Sequence, residues 1–358
     1  MPDRRLSPRR IARPALIATF AGGLAATALA ERRPLNVLAD DDELRALGAP
    51  LRDASCEHTV HDVPSADGTV LHAERFGPAG GEATLVLAHG WTEAIPFWGP
   101  VIHRLASGRL TLVAYDLRGH GESETAREGD YRLQRFGEDL EAVLAALGGD
   151  PARTAVAGHS LGAMSIAAWA AGHDVTTRIG AAAMINTGLS NLIGGALVLG
   201  ELGSRLSPGW LGRAFLGSGR PLLPVSTPLS FAAARHIAFG PEASDGMVAF
   251  YERMLMSTDA GVRGAVGITL SDLDLSAAAE RITVPTIVIA GDADRLTPPA
   301  QAQRIADALP TPAGLTVLER TGHMSPLERP DEVAGALREL LGRLTSTVPA
   351  RAPSEVAG

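Results

Sequence analysis

Short apolar runs alternate with helical patterns over most of this chain. Thr59–Val63 and Thr69–Phe76 alternate apolar and polar positions on either side of Ala66-Asp67-Gly68, which predicts a hairpin. Thr84–Ala88, Leu110–Tyr115, Thr154–Ala157 and Ala181–Ile185 are almost wholly apolar and short, as strands buried on both faces are. Between them lie helix-spaced segments such as Phe136–Leu147. Residues 190–275 break this rhythm. They contain no clear buried strand, are rich in Leu, Gly and Pro, and become helical around Asp245–Met256. Strands return at Thr286–Ala290 and Leu315–Leu318, followed by a helix over Asp331–Leu344. The pattern predicts an α/β fold with a mostly parallel central sheet, flanking helices and an inserted helical region.

The two ends read differently. Five arginines (Arg4, Arg5, Arg9, Arg10, Arg13) precede the uncharged run Ala15–Ala30, which ends on the small residues Ala28-Leu29-Ala30. This order of basic, apolar and small residues is that of a secretory signal. A retained anchor is the rival reading, although sixteen helical residues span only ~24 Å of a ~30 Å hydrocarbon core. The expected organisation is a signal or membrane anchor over 1–35, a tether over 36–58, core halves over 59–189 and 276–345, a helical cap or lid over 190–275, and a disordered tail over 346–358. Export or membrane anchoring, with membrane association through the N-terminus, is the expected localisation.

Composition narrows the chemistry. The chain has 358 residues and a formal net charge of −8, and its basic residues are all arginine. The acidic balance argues against nucleic acid as a partner. The lack of lysine removes any Schiff-base or lysine general-base mechanism. Cys56 is the only cysteine, so no internal disulfide forms. His58, His61 and Asp62 cluster with it, but positions 58 and 61 face opposite sides of a strand. No metal site and no cofactor are expected.

The strongest chemical signal is Gly158-His159-Ser160-Leu161-Gly162, placed between the strand Thr154–Ala157 and a helical run from Leu161. In that setting G-x-S-x-G forms a sharp turn that lifts the serine hydroxyl above the sheet edge at a helix N-terminus. A serine needs a base, and His323 follows the strand Leu315–Leu318 at the same edge. The base needs a carboxylate to hold its tautomer. Asp294, after the strand Thr286–Ala290, is the choice, with Asp292 the alternative. The oxyanion needs backbone donors, for which the N–H groups of Leu161 and Trp91 are the candidates. Met247, Phe250, Tyr251 and Met254 form an apolar helical stripe that fits cap-to-core packing and, with the Trp91 ring, one wall of an apolar substrate pocket.

These residues together resemble the α/β-hydrolase superfamily. The resemblance is carried by His89-Gly90-Trp91, Asp116-Leu117-Arg118-Gly119-His120-Gly121-Glu122-Ser123, Gly158–Gly162, Gly291–Asp294 and Gly322-His323, in order over residues 59–345. It implies that Asp116, Arg118 and His120 are structural, and that residues 190–275 form a cap after the sixth core strand. It also implies a serine hydrolase acting on a small apolar or lipid-like ester. Carbon–carbon bond hydrolysis, proline-iminopeptidase-like and perhydrolase activities are the alternatives on this fold. Ser160 stands where epoxide hydrolases and haloalkane dehalogenases carry an aspartate. A binding module without catalysis is disfavoured, since such proteins usually lose a triad member.

Overall fold

The computed structural model describes residues 57–106, 108–192 and 227–347, together with Leu47. Eight strands form one sheet: β1 (His58–Pro64), β2 (Val70–Phe76), β3 (Thr84–Ala88), β4 (Thr111–Tyr115), β5 (Thr154–His159), β6 (Ala181–Ile185), β7 (Thr286–Gly291) and β8 (Pro312–Leu318). Their spatial order is β1-β2-β4-β3-β5-β6-β7-β8. The β1–β2 and β2–β4 pairs are antiparallel, and every later pair is parallel. The fold is thus that of an α/β sheet extended at one edge by a hairpin. The parallel register aligns Ala88 with Gly158, His159 with Ile185, and Gly291 with Leu318. The loops that leave β3, β5, β6, β7 and β8 therefore emerge along one edge, where the ends of parallel strands converge on a ligand site.

Successive residues of the central strands serve opposite faces. Val86, Ala88 and Val156 join one core cluster with Phe136, Leu140, Trp169 and Ile305. Leu85, Leu87, Ala155 and Ala157 join the other with Val101, Ile102, Leu337 and Leu341. The first cluster places α2 (Leu133–Leu147), α3 (Leu161–Gly172) and α7 (Pro299–Ala308) on one face; the second places α1 (Gly99–Leu105) and α9 (Pro330–Thr347) on the other. Every residue of α3 from Leu161 to Ala170 is buried, so this helix is apolar all round rather than amphipathic.

The segment between β6 and β7 contains α4 (Pro228–Ala238), α5 (Asp245–Ser257) and α6 (Ala260–Ser271). Its two ends meet, since Ser190 bridges Asp274 and the Leu275 N–H donates to the Leu189 carbonyl at 2.6 Å. Sequence patterning located α5 but not its neighbours. Gly261, Gly264 and Gly267 mask the helical character of α6. The last strand starts at Pro312, ahead of the expected Leu315, because an edge strand tolerates the proline and glycine that disguised it. α8 is the single turn Ser325–Glu328 after the histidine loop. Of the expected segments, 1–35, most of the tether, residues 193–226 of the cap and nearly all of the tail fall outside the described residues. Among the described residues no helix is long and apolar enough to cross a membrane.

The loop after β4 holds the sheet edge through buried polar groups. Asp116 accepts the N–H groups of Ile95 at 2.8 Å and Glu122 at 2.9 Å. Arg118, with no exposed side-chain surface, meets Asp139 through two bonds at 2.7 and 2.6 Å and Asp67 at 2.8 Å. Burial, then the charge of His89, holds the His120 pKa down at about 4, so that ring is neutral at physiological pH. The three residues serve as scaffold. Arg118→Ala leaves two carboxylates without their counter-ion and should cost on the order of 3–5 kcal/mol in urea unfolding. Adding Asp139→Ala should recover part of that loss, because it removes the more deeply buried of the two stranded carboxylates.

Candidate active site

The turn at Ser160 follows from its two glycines. A Cβ on Gly158 would lie 2.4 Å from the Ala163 nitrogen, and one on Gly162 would lie 2.2 Å from the Ala88 carbonyl oxygen. Only glycine lets α3 start directly against the ends of β5 and β3. Ser160 itself takes φ 48° and ψ −112°, a conformation that costs a non-glycine residue about 1–3 kcal/mol. It is held there by its N–H to the Ile185 carbonyl at 3.0 Å, and by the Thr187 hydroxyl on its own carbonyl at 2.9 Å. Its neighbour Leu161 opens α3, so the Leu161 N–H belongs to the first turn, whose donors a helix leaves unbonded.

His323 and Asp294 meet at the ends of β8 and β7. The His323 Nδ1 donates to Asp294 Oδ2 at 2.8 Å, and both side chains are buried. Asp294 Oδ2 also accepts from the Thr297 hydroxyl at 2.8 Å and the Asn186 amide at 3.1 Å, while Oδ1 accepts the N–H groups of Leu296 and Thr297, both at 2.9 Å. Five donors thus compensate one buried carboxylate. Burial alone would raise its pKa, but the His323 charge and these hydrogen bonds hold it below the usual carboxylate value. Burial pulls His323 down; the Asp294 charge and hydrogen bond, then the charges of Glu93 and Glu328, carry it above the ordinary histidine value. Asp292 is exposed and instead accepts the Thr321 N–H at 3.1 Å. The geometry therefore pairs Asp294, rather than Asp292, with His323.

Trp91 lies in the turn after β3. His89 and Glu93 tie this turn down: the His89 Nδ1–H donates to the Gly90 carbonyl at 2.8 Å, and Glu93 accepts the Gly90 N–H at 2.6 Å. Thr92, buried and at φ 63°, donates its hydroxyl to the Trp91 carbonyl at 2.6 Å. The Trp91 ring is partly buried against the first core cluster. Of the apolar stripe, Phe250 and Met254 sink into the second cluster, whereas Met247 and Tyr251 are only partly buried against it. Tyr251 comes nearest the turn, with its hydroxyl 3.4 Å from Thr92 Oγ1.

The segment before β7 is bolted to the histidine loop. The His323 N–H donates to the Ala238 carbonyl at the end of α4 at 2.8 Å. The buried Glu328 carboxylate accepts the Gly240 N–H at 2.8 Å and the Gly322 N–H at 3.0 Å. Sequence reasoning did not single out Asn186, Thr297, Glu328, Glu93 or His159. Asn186 carried a usable signal, a polar residue directly after an apolar strand; the others form no motif of their own. Among the described residues no group of three or more metal-ligating side chains converges, and His58 instead pairs with Glu74 across the β1–β2 hairpin.

The family described as "Alpha/beta hydrolase family" matches residues 85–336. A 3-oxoadipate enol-lactonase from Acinetobacter baylyi is 27% identical over 283 residues, 79% of this chain and 97% of that protein. A monoacylglycerol lipase from Mycolicibacterium smegmatis is 29% identical over 235 residues, 62% of this chain and 74% of that protein. Among solved structures, the esterase EaEST from Exiguobacterium antarcticum superposes with a TM-score of 0.66 at 18% identity, over 79% of this chain and all of the esterase.

An imidazole takes a proton only when neutral, so the raised pKa places the acid limb of kcat/KM, for a reaction with His323 as base, above the ordinary histidine value of ~6.5. Activity should fall tenfold per pH unit below that midpoint. Asp294→Asn should lower kcat by on the order of 10³–10⁴-fold and move the midpoint down, whereas Asp292→Asn keeps its acceptor oxygen and should stay within about threefold of the parent, the scale of a surface change. Asn186→Ala removes one donor to Asp294 and one to the Gly322 carbonyl. It should cost about 1–3 kcal/mol in thermal unfolding and lower kcat without abolishing it.

Proposed function

Because this chain belongs to the alpha/beta hydrolase family, we propose that it is a serine hydrolase that cleaves carboxylic esters of apolar acids through an acyl-enzyme. The observation that carries the reading is a chain of contacts. Buried Asp294 holds Nδ1 of His323, and the carbonyl of His323 is bonded to the ring of His159, the residue directly before Ser160. Nucleophile, base and acid thus share one edge of the sheet.

In this mechanism Ser160 Oγ attacks the ester carbonyl while His323 Nε2 takes the hydroxyl proton. Asp294 keeps Nδ1–H in place and stabilises the positive charge on the ring. The N–H groups of Trp91 and Leu161 hold the oxyanion of the tetrahedral intermediate, where preorganised donors do most of the work. Collapse expels the alcohol, which receives its proton from His323. Water then gives a proton to His323 and attacks the acyl-enzyme, and the second collapse frees the acid while His323 returns the proton to Ser160 Oγ. These steps require no metal or cofactor.

The preference for an apolar acid rests on Tyr251, whose hydroxyl reaches Thr92 of the Trp91 turn, and on the partly buried Met247 of the same helix, with Phe250 and Met254 buried in the core cluster they pack against. The named relatives include enzymes of a lactone and of a monoacylglycerol, both of which contain an ester linkage. The described helices α4, α5 and α6 serve as part of a cap beside this wall. Residues 1–35, basic then apolar, direct the chain to export or to a membrane surface, where a lipid-like ester would be met.

A fluorophosphonate probe should label the parent protein at Ser160 and leave Ser160→Ala unlabelled; equal labelling of both removes the nucleophile. On p-nitrophenyl esters, kcat/KM should rise from acetyl to longer acyl chains. Tyr251→Ala should reduce it more for the longer chains than for acetyl. A preference for acetyl throughout would count against the apolar wall.

A further inference from the structure

A second carboxylate–imidazole pair lies beneath the first. Glu93 and His159 are buried, and His159 Nδ1 lies 3.0 Å from Glu93 Oε2. The same carboxylate oxygen accepts the Gly90 N–H at 2.6 Å. On the other side of the ring, His159 Nε2 is 2.8 Å from the backbone carbonyl of His323, and the two imidazole rings are 4.9 Å apart. A carbonyl only accepts, so His159 Nε2 carries a proton and donates it. Phe97, itself fully buried, closes the remaining face with its ring 4.6 Å from that of His159.

The pair has three ends, and each ends on a segment that carries one of the proposed reacting groups. Gly90 precedes Trp91, the oxyanion donor. His159 precedes Ser160. The third end is the main chain of His323 itself. Gly90 is matched to this arrangement, because a Cβ there would lie 2.9 Å from both Glu93 Oε2 and His159 Nδ1. The space that a side chain at position 90 would need is filled by the pair.

We propose that Glu93 and His159 are positioning residues, a buried strut that sets the Trp91 turn, the Ser160 turn and the His323 loop in register with one another. The proposal rests on the serine-hydrolase reading above. Neither residue reaches the substrate. The role of the strut is to fix where the oxyanion donor stands relative to nucleophile and base. A misplacement of that kind is felt in the transition state and not in substrate binding.

The test uses the full chain, with active sites counted by fluorophosphonate titration. Glu93→Gln and His159→Gln should each lower kcat per titrated site by roughly 10- to 100-fold, less than the 10²–10³ of deleting a donor outright, with KM within about threefold. A boronic-acid transition-state analogue should weaken in step with kcat/KM, while the carboxylic-acid product binds as before. The double variant should be no slower than the slower single variant, because the two residues act as a unit. Additive losses, or parent-like kcat per site in the single variants, overturn the proposal. So does a loss confined to thermal stability. A parent protein that fails to label at Ser160 overturns the serine-hydrolase reading instead. If the variants do not fold, NMR of the parent decides. The His159 Nε2 proton, held against a buried carbonyl, should be a slowly exchanging low-field resonance that survives Asp294→Asn; its absence overturns the proposal.

Discussion

The organisation of this molecule turns on one buried carboxylate. Asp294 has no access to water through its side chain, and an ion in that setting is tolerated only when its lone pairs are met by donors. The donors come from three segments: Leu296 and Thr297 on its own loop, Asn186 after β6, and His323 after β8. Satisfying Asp294 therefore fixes three strand ends relative to one another. Asn186 accepts φ 44° to do so, and its oxygen in turn receives the Ser325 hydroxyl. The geometry at His323 is a consequence of this compensation. A base whose Nδ1 is committed to Asp294 presents Nε2 as the atom for proton transfer.

The sheet makes such convergence possible. Six strands run parallel from β3 to β8, so their carboxyl ends lie along one line. Residues far apart in sequence become neighbours without any long loop entering the core. At the β3 and β5 ends, Gly162 lets α3 press against the Ala88 carbonyl, and Gly90 lies against the His159 ring. The turn after β3 therefore lies against the turn that carries Ser160. The strained turn at Ser160 and the strained Thr92 are held by surrounding backbone and side-chain bonds, a condition under which such conformations persist.

Much of this was legible in the sequence, and the reasons are specific. The strands of the sheet centre are buried on both faces, so Thr84–Ala88 and Ala181–Ile185 are continuous apolar runs that point to parallel pairing. Gly158–Gly162 is legible because steric exclusion leaves glycine as the residue that fits on either side of Ser160. The placement of His323 and Asp294 after strands was enough to set both at one edge. Asp294 was the choice from the sequence, but Asp292 stayed open beside it, since both follow β7 and what separates them, burial and the bond to His323, arises only in the fold. Glu93, His159 and Glu328 were hidden for another reason. Glu93 and His159 are partners 66 residues apart, and His159 and Glu328 also bond to backbone groups of distant loops, which leave no letter in the sequence. The α6 helix was hidden by its three glycines, which suit close packing but weaken any local helical signal.

Chemistry and specificity are therefore written in the chain in different ways. The reacting groups sit on loops whose geometry is dictated by strand ends, tight turns and buried charge, and each constraint demands a particular residue type. The helices between β6 and β7 face no such demand. Apolar bulk suffices for Phe250 and Met254, and many sequences supply it. Yet these helices are not loosely attached, because Ala238 and Gly240 take hydrogen bonds from or to the His323 loop and Glu328. A change of packing along α4 and α5 is thereby transmitted to the position of His323 through the main-chain bond to Ala238 and through the Glu328 carboxylate. Under the proposed function, that linkage makes the described helices between β6 and β7 the place where substrate preference can be altered while Ser160, His323 and Asp294 stay unchanged. Its limit is the Ala238–Gly240 turn, where any shift in the backbone moves the base itself.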